Sequence, residues 1–347
     1  MIKFVTGNLL DAKVEALVNT VNTAGVMGKG LALQFKKAFP ANSKAYEAAC
    51  KRGDVQIGKM FVFDAGGIVL PRYIINFPTK KHWRSPSKLD YIEQGLAALI
   101  EVIRDQQVRS IAVPPLGAGL GGLDWNKVRP VIERALSPLT DVEVLVFEPN
   151  GAPPAEAMRN ETKKPKMTPG RAAVLALMSR YQVPGYDYRL SLLEVQKLAY
   201  FLQVAGEPLR LNYQAHHYGP YADNLRHVLH HIEGHYLRGF GDGQNKPETP
   251  LDLIEGAASE AEAFLASNGE SETRLRRVAN LIEGYETPFG MELLSTVHWV
   301  ATHDADAGRS DAAATRAVHA WNARKATTMK PEHVRTAWEH LRRQNWI

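Results

Sequence analysis

The sequence predicts a three-layer α/β domain followed by a mainly α-helical second domain. Three observations carry that expectation. Strand-like and helix-like patterns alternate through residues 1–150. A stretch rich in Pro, Lys and small residues, GAPPAEAMRNETKKPKMTPG, then interrupts all periodicity and reads as a linker over residues 151–170. Residues 171–347 resume with apolar positions at helical spacing. At 347 residues the chain exceeds one average domain of about 150, so two domains are expected.

In order, residues 3–6 and 16–22 read as strands, and residues 30–50 have a helical pattern broken at Pro40. Residues 60–64 and 73–77 are strands. Residues 89–104 form an amphipathic helix, with Leu89, Ile92, Leu96, Leu99, Ile100 and Ile103 on one face. Residues 110–113 are an apolar strand, Asp124 is suited to cap a helix running to Leu136, and residues 142–147 close the domain as a strand. Beyond the linker, residues 171–181 and 192–202 read as helices. Residues 212–218 are extended and punctuated by Gly219-Pro220, and residues 221–236 are helical until GFGDGQ breaks them. Helices over 251–267, 272–283, 290–302, 311–322 and 331–344 follow.

Hydrophobic content of 45% and charged content of 23% suit a globular protein. No apolar run approaches the roughly 18 residues that span a bilayer. MIKFVTGNLL lacks the apolar core of a signal peptide. The single cysteine, Cys50, excludes an internal disulfide framework and any site built on several thiolates, so a reducing cytoplasm is the expected compartment. The net charge of +5 hides an asymmetry. Residues 1–167 hold 23 Lys+Arg against 16 Asp+Glu, which is +7; residues 168–347 hold 19 against 21, which is −2. His82 is the one histidine of the first part, and the other 11 of 12 lie in the second. Two parts so different in charge need not share a partner.

Three loops follow expected strands, where open α/β sheets bind ligands. The first is Asn19-Thr20-Val21-Asn22-Thr23-Ala24-Gly25-Val26-Met27-Gly28-Lys29-Gly30. Its three glycines permit close backbone approach to a ligand, and the next helix would aim its N-terminus at an anion. Gly30 follows Lys29, so this is not a Walker A loop. Asn19 and Asn22 can hold a sugar hydroxyl or fix the loop; a purely structural turn is the plain alternative. The second loop, Pro114-Pro115-Leu116-Gly117-Ala118-Gly119-Leu120-Gly121-Gly122-Leu123-Asp124-Trp125, contains GxGxxG at Gly117, Gly119 and Gly122, so a dinucleotide fold competes. Against it, two prolines interrupt the strand-to-turn junction, and a capping Asp124 puts the glycines before the helix. Two glycine loops in one domain suggest two phosphates gripped from two sides. The third, Asn76-Phe77-Pro78-Thr79-Lys80-Lys81-His82-Trp83-Arg84, is basic and aromatic. It reads as a solvated loop, a phosphate or nucleic-acid contact, or the seat of a catalytic lysine. Lysine attacks carbon only as the neutral amine, a form that Lys81 and Arg84 would favour at Lys80.

VNTVNTAGVMGKGLALQF, INFPTKKHWR and VPPLGAGLGGLDW together closely resemble the macrodomain of DarG-type antitoxins, over about residues 1–150. The resemblance implies an α/β three-layer macrodomain, a mixed sheet between helices, that binds ADP-ribose. It implies kinship with the terminal ADP-ribose glycohydrolases and removal of ADP-ribose that a DarT-type ADP-ribosyltransferase toxin attaches to single-stranded DNA. Lys80 and Asn22 take the catalytic roles: Asn22 at the distal ribose, Lys80 either attacking the anomeric carbon or orienting the bond while water attacks. Gly7, Asn8, Leu9, Thr20, Gly25, Met27, Gly28, Lys29, Gly30, Thr79, Pro115, Gly117, Ala118, Gly119, Leu120 and Gly121 line the ADP-ribose pocket, with adenine received near Leu10 and Asp11. Lys81, His82, Trp83 and Arg84 would meet DNA. One departure matters: protein-directed relatives carry a catalytic Asp in the second glycine loop where Gly121 stands here, which leaves the lysine–aspartate relay open. No cofactor is implied. With only Cys50 and His82 available in this part, no metal is expected.

In the second domain, His227/His231 and His231/His235 stand four residues apart, as on one helix face, but no acidic partner recurs at that spacing. A polar face or a partner surface is expected rather than a metal. Gln196-Lys197-Leu198, Tyr200-Phe201 and Tyr218-Gly219-Pro220 resemble the helical domain of Panacea-type antitoxins, which implies binding of a cognate toxin. A further possibility is that this mildly acidic domain mimics nucleic acid in the toxin's groove. The competing functions are a non-catalytic ADP-ribose reader, a hydrolase of ADP-ribosyl-glutamate on proteins, and a NAD-dependent dehydrogenase.

Overall fold

The computed structural model describes residues 1–67, 69–181 and 188–347. The chain divides into two compact units: Met1–Lys163 with Asp242–Gln244, and Lys164–Gly241 with Asn245–Ile347.

The first unit comprises β1 (Ile2–Val5), a short 3-10 turn (Leu9–Asp11), β2 (Ala16–Asn22), α1 (Gly30–Ala38), α2 (Pro40–Arg52), β3 (Phe61–Asp64), β4 (Tyr73–Lys80), α3 (Leu89–Asp105), β5 (Ser110–Val113), α4 (Trp125–Leu136) and β6 (Glu143–Phe147). The strands form one six-stranded sheet in the order β1-β6-β5-β2-β4-β3. All neighbours are parallel except β3, which runs antiparallel along β4 and makes the sheet mixed. Parallel neighbours need crossovers, and helices supply them on both faces. The alternation of side chains along β2 shows why three layers result. Ala16 and Val18 join Ile92, Leu96 and Leu99 of α3 and Val128 and Ile132 of α4 in one core, while Leu17 joins Phe35 and Ala38 of α1 in another. A strand buried on both faces is predominantly apolar, as the ALV run that opens β2 is. The expected mixed α/β sheet between helices is therefore what forms.

The second unit comprises α5 (Pro169–Tyr181), β7 (Leu190–Ser191), α6 (Leu192–Val204), β8 (Tyr213–His216), β9 (Gly219–Ala222), α7 (Leu225–Ile232), β10 (Leu237–Arg238), β11 (Pro250–Leu253), α8 (Ala257–Ala266), α9 (Gly269–Ile282), α10 (Pro288–His303), α11 (Ala305–Arg309), α12 (Asp311–Trp321), α13 (Ala323–Thr328) and α14 (Pro331–Arg343). It is mainly helical around one core. Ser191 caps α6 in a reciprocal box with Glu194, whose carboxylate also accepts from the Tyr181 and Tyr188 hydroxyls.

Several expectations need correction. The strand expected to end at Phe77 runs to Lys80, so Thr79 and Lys80 stand on β4 and not in a loop. Residues 221 and 222 do not start a helix; with Gly219-Pro220 they form the second strand of a hairpin, with Gln214 opposite Tyr221. Residues 251–253 pair with β7 and β10 before α8 begins. In both places cross-strand pairing overrides a helical pattern. The helix of residues 221–236 shrinks to α7, so His235 lies beyond it and the second histidine spacing is not helical. The chain leaves α7 at Glu233, whose carboxylate accepts from the Gly239, Phe240 and Gly241 N–H groups.

Candidate active site

Five parallel strands send their following loops off one edge of the sheet. Residues 6–8, 23–29, 81–88 and 114–124 gather there, after β1, β2, β4 and β5. β2 and β4 pair without interruption from Ala16–Tyr73 to Val21–Pro78, and the next pair is Asn22–Lys80. Thr79 is thus an extra residue on β4, a bulge of the kind found beside active sites. Pro78 is tolerated because the β3 pairing has already ended at Asn76.

Lys80 is half-buried, and its Nζ donates to the main-chain oxygen of Leu120 at 2.8 Å. Burial holds its ammonium below the usual lysine value. The expectation that Lys81 and Arg84 would do so is corrected: desolvation is the cause. Thr23 ties the first loop to this strand, its N–H donating to Lys80 O at 3.1 Å and its hydroxyl to Lys81 O at 2.8 Å.

Asn22 spends its amide on the first loop. Its Nδ2 donates to Val26 O at 2.6 Å, and its Oδ1 accepts from Ala24 N at 3.0 Å and Val26 N at 3.3 Å. Asn19 is fully buried and donates to Asn76 Oδ1 at 2.9 Å, while Asn76 donates to Asn42 Oδ1 at 2.7 Å. Asn19 thus ties β2 to β4 within the sheet, with its side chain fully buried. Lys29 leads into α1 with no side-chain cap. Among the described residues, no protein acceptor faces the Met27, Gly28 or Lys29 N–H.

Most carbonyls of the second loop are engaged by protein donors. Pro115 O, Gly117 O and Gly119 O accept from Ala118, Leu123 and Gly122, Leu120 O accepts from Lys80, and Gly121 O accepts from Ser87 N at 2.9 Å. Among the described residues no protein acceptor faces the N–H of Gly119, Leu120 or Gly121. Three successive N–H groups without a protein acceptor are what an anion-binding loop requires. Gly121 must be glycine: a Cβ there would lie 2.3 Å from Ser87 Oγ and 2.4 Å from Gly117 O.

The remaining expected residues divide. Gly7, Gly25, Gly28, Gly30, Gly117, Pro115, Ala118 and Thr20 border these loops. The Asn8 side chain caps the 3-10 turn at Leu10 N. Leu9, Met27 and Thr79 are 5%, 4% and 3% exposed, their side chains packed inward. Lys81, His82, Trp83 and Arg84 are exposed, with the Arg84 guanidinium 4.3 Å over the Trp83 ring and the His82 ring 5.1 Å from it. Asp124 caps α4 by accepting from Asn126 N at 3.0 Å. Sequence reasoning missed Asn42, Tyr46 and Ser87; nothing local marks a residue whose partner lies tens of positions away. Among the described residues no group of three His, Cys, Asp or Glu is placed to hold a metal ion.

In the second unit, the residues that carried the second resemblance meet. Gln196 brackets Ala222, donating to its oxygen at 3.1 Å and accepting from its nitrogen at 3.2 Å, and Lys197 Nζ donates to Pro220 O at 2.7 Å. Gly219, at φ +91°, has no room for a Cβ, which would lie 2.7 Å from Thr296 Oγ1.

The sheet and its paired glycine loops define a macrodomain, and the family model "Macro domain" matches residues 18–132. The chain is 51% identical to the DNA ADP-ribosyl glycohydrolase of Thermus aquaticus over 98% of its own length and 93% of that protein. It is 34% identical, over 43% of its length and 42% of the other, to a DNA ADP-ribosyl transferase–DNA ADP-ribosyl glycohydrolase fusion protein of Thermosipho africanus. A solved structure, the macrodomain of Thermus aquaticus DarG, is 63% identical over 43% of this chain and 99% of that one, with a TM-score of 0.42. The chain belongs to the DNA ADP-ribosyl glycohydrolase family. No helix among the described residues is long and apolar enough to cross a membrane.

Proposed function

We propose that the first domain hydrolyses the bond between ADP-ribose and a base of single-stranded DNA, and that the second binds a cognate DNA ADP-ribosyltransferase toxin, in the cytoplasm. The observation that carries the reading is Lys80, desolvated and opposite Asn22, at the rim of two loops whose N–H groups without a protein acceptor suit a diphosphate. The diphosphate would lie across Gly28–Lys29 and Gly119–Gly121, which brings the distal ribose toward Lys80. Asn22, with its amide engaged, would shape the wall beside that ribose.

Lys80 would act as the nucleophile. Its Nζ forms a bond to the anomeric carbon as the bond to the base breaks, and the departing base takes a proton. Water then displaces Nζ and frees ADP-ribose. The alternative, in which water attacks directly, needs a base to activate the water; Asp124, the acid nearest in sequence to the second loop, is committed to capping α4. The fusion of transferase and glycohydrolase in the Thermosipho africanus relative supports the pairing with a toxin. Mimicry of DNA gains nothing from α8 and α9, where Glu260 pairs with Lys164, and Glu270 and Glu272 with Arg274 and Arg276.

The test combines two readouts. Native protein should release ADP-ribose from an ADP-ribosylated single-stranded oligonucleotide and co-elute with the toxin. Lys80→Ala should lose the first and keep the second. Binding of ADP-ribose without release by the native protein would favour a reader instead.

A further inference from the structure

One fully buried side chain that the chemistry above does not use is Tyr46, in the middle of α2. Its ring packs with Val21, Met27, Ala49 and Val55 beneath the first glycine loop. Its hydroxyl donates to the main-chain oxygen of Asn22 and lies 3.5 Å from Asn22 Oδ1. Burial pushes the phenol far above its ordinary value, so it remains a donor at every working pH. Four residues before it, Asn42 accepts from Asn76 of β4, which in turn accepts from Asn19 of β2. Four residues after it, Cys50 packs against Gly25, where an added Cβ would lie 3.3 Å from Cys50 Cβ. Positions 42, 46 and 50 share one face of α2. That face touches the sheet below the bulge, the residue at the bulge, and the loop beyond it.

We propose that Tyr46 is a positioning residue for hydrolysis: its hydroxyl fixes the Asn22 carbonyl at the step in the β2–β4 ladder and so holds Asn22 opposite Lys80. The inference rests on the hydrolase reading above. Anchored to both strands through Asn42, α2 provides a rigid base from which one hydrogen bond reaches Asn22. Without that bond the carbonyl seeks another donor, and the turn from Asn22 to Val26 shifts with it. The second glycine loop, the entry to α1 at Gly30 and the Lys80 side chain lie outside that turn and keep their own hydrogen bonds, so binding and chemistry should separate.

The experiment uses the full chain carrying Tyr46→Phe, which keeps the ring and removes only the hydroxyl. On ADP-ribosylated single-stranded oligonucleotide, kcat should fall about tenfold, the worth of one buried hydrogen bond, while KM and the Kd for ADP-ribose stay at native values. The amides of Ala24 and Val26 should exchange with solvent faster than in the native protein. A native kcat overturns the proposal. So does a loss of kcat matched by equal losses in ADP-ribose affinity and melting temperature, which marks a residue that merely supports the fold. If the native protein itself releases nothing, the hydrolase reading fails, and amide exchange decides alone: unchanged exchange at Ala24 and Val26 overturns the positioning role.

Discussion

Asn22 and Lys80 are partners across the β2–β4 ladder only because Thr79 is an extra residue on β4. In an unbroken ladder Thr79 would stand opposite Asn22, and Lys80 would point to the other face, since side chains alternate along a strand. One inserted residue therefore selects which side chain meets the two glycine loops. Thr79 itself turns inward, its hydroxyl 3.4 Å from Val21 O.

Lys80→Ala should lower kcat at least about 100-fold, with ADP-ribose affinity retained. Lys80→Arg should not restore activity, because a guanidinium offers no neutral nitrogen. If the amine attacks, opening of the ribose at the new bond gives an iminium that cyanoborohydride reduces, leaving ADP-ribose covalently on the native protein and none on the arginine variant. Burial lowers the lysine pKa. Activity should accordingly rise with pH and level off below the ordinary lysine value of about 10.4.

Asn22→Ala removes three hydrogen bonds that close the turn from Asn22 to Val26. Denaturant titration should show a loss of about 1–3 kcal/mol, since the Val26 carbonyl and the Ala24 and Val26 N–H groups lose their partner. Turnover should fall as well. A variant as stable as the native protein would mean that water satisfies the turn equally well.

Gly121→Ala places a methyl group against Ser87 Oγ and Gly117 O. The second loop must then move, and the N–H groups of Gly119 to Gly121 lose their placement. ADP-ribose binding, measured by calorimetry, should weaken more than about tenfold. Adding Ser87→Gly relieves one clash and leaves the carbonyl in place, so rescue should be partial.

The sheet was legible because its evidence is local: ALVNTVN and SIAV are apolar runs of strand length, and the helix from Leu89 repeats on one face. Lys80, Asn22 and the glycine loops were legible as motifs. The bulge was not, because it is a relation between two strands more than fifty residues apart. Tyr46 and Ser87 stayed hidden for the same reason. The hairpin at Tyr213–Ala222 was missed where Gly219-Pro220 looked like a stop; its pairing is fixed by Gln196 and Lys197, which belong to another element.

Lys197 is 1% exposed, and burial, aided by Lys325 and opposed by Glu292, pushes its ammonium down to about 7. Unfolded, the same lysine holds its proton to about 10.4. Between those values the unfolded chain binds more protons, so stability should rise with pH from about 7 toward about 10.4; below pH 7 both states are charged and the slope vanishes. Lys197→Met should flatten this rise in melting temperature. An unchanged slope would place the proton elsewhere in the buried group of Lys325 and Glu292.

Trp83 stands exposed with Arg84 across its ring, a flat cationic surface beside Lys80. A base next to the modified nucleotide can stack on such a surface, for about 1–3 kcal/mol. Trp83→Ala should raise KM for the modified oligonucleotide about tenfold and leave the Kd for free ADP-ribose alone, because the free ligand has no neighbouring base. Lys81→Ala should weaken oligonucleotide binding at low salt and reduce its salt dependence by about one counterion, as loss of a phosphate contact requires. Equal losses for oligonucleotide and free ADP-ribose would instead make the Trp83 ring part of the pocket wall, and the basic loop would then serve the bond and not the strand.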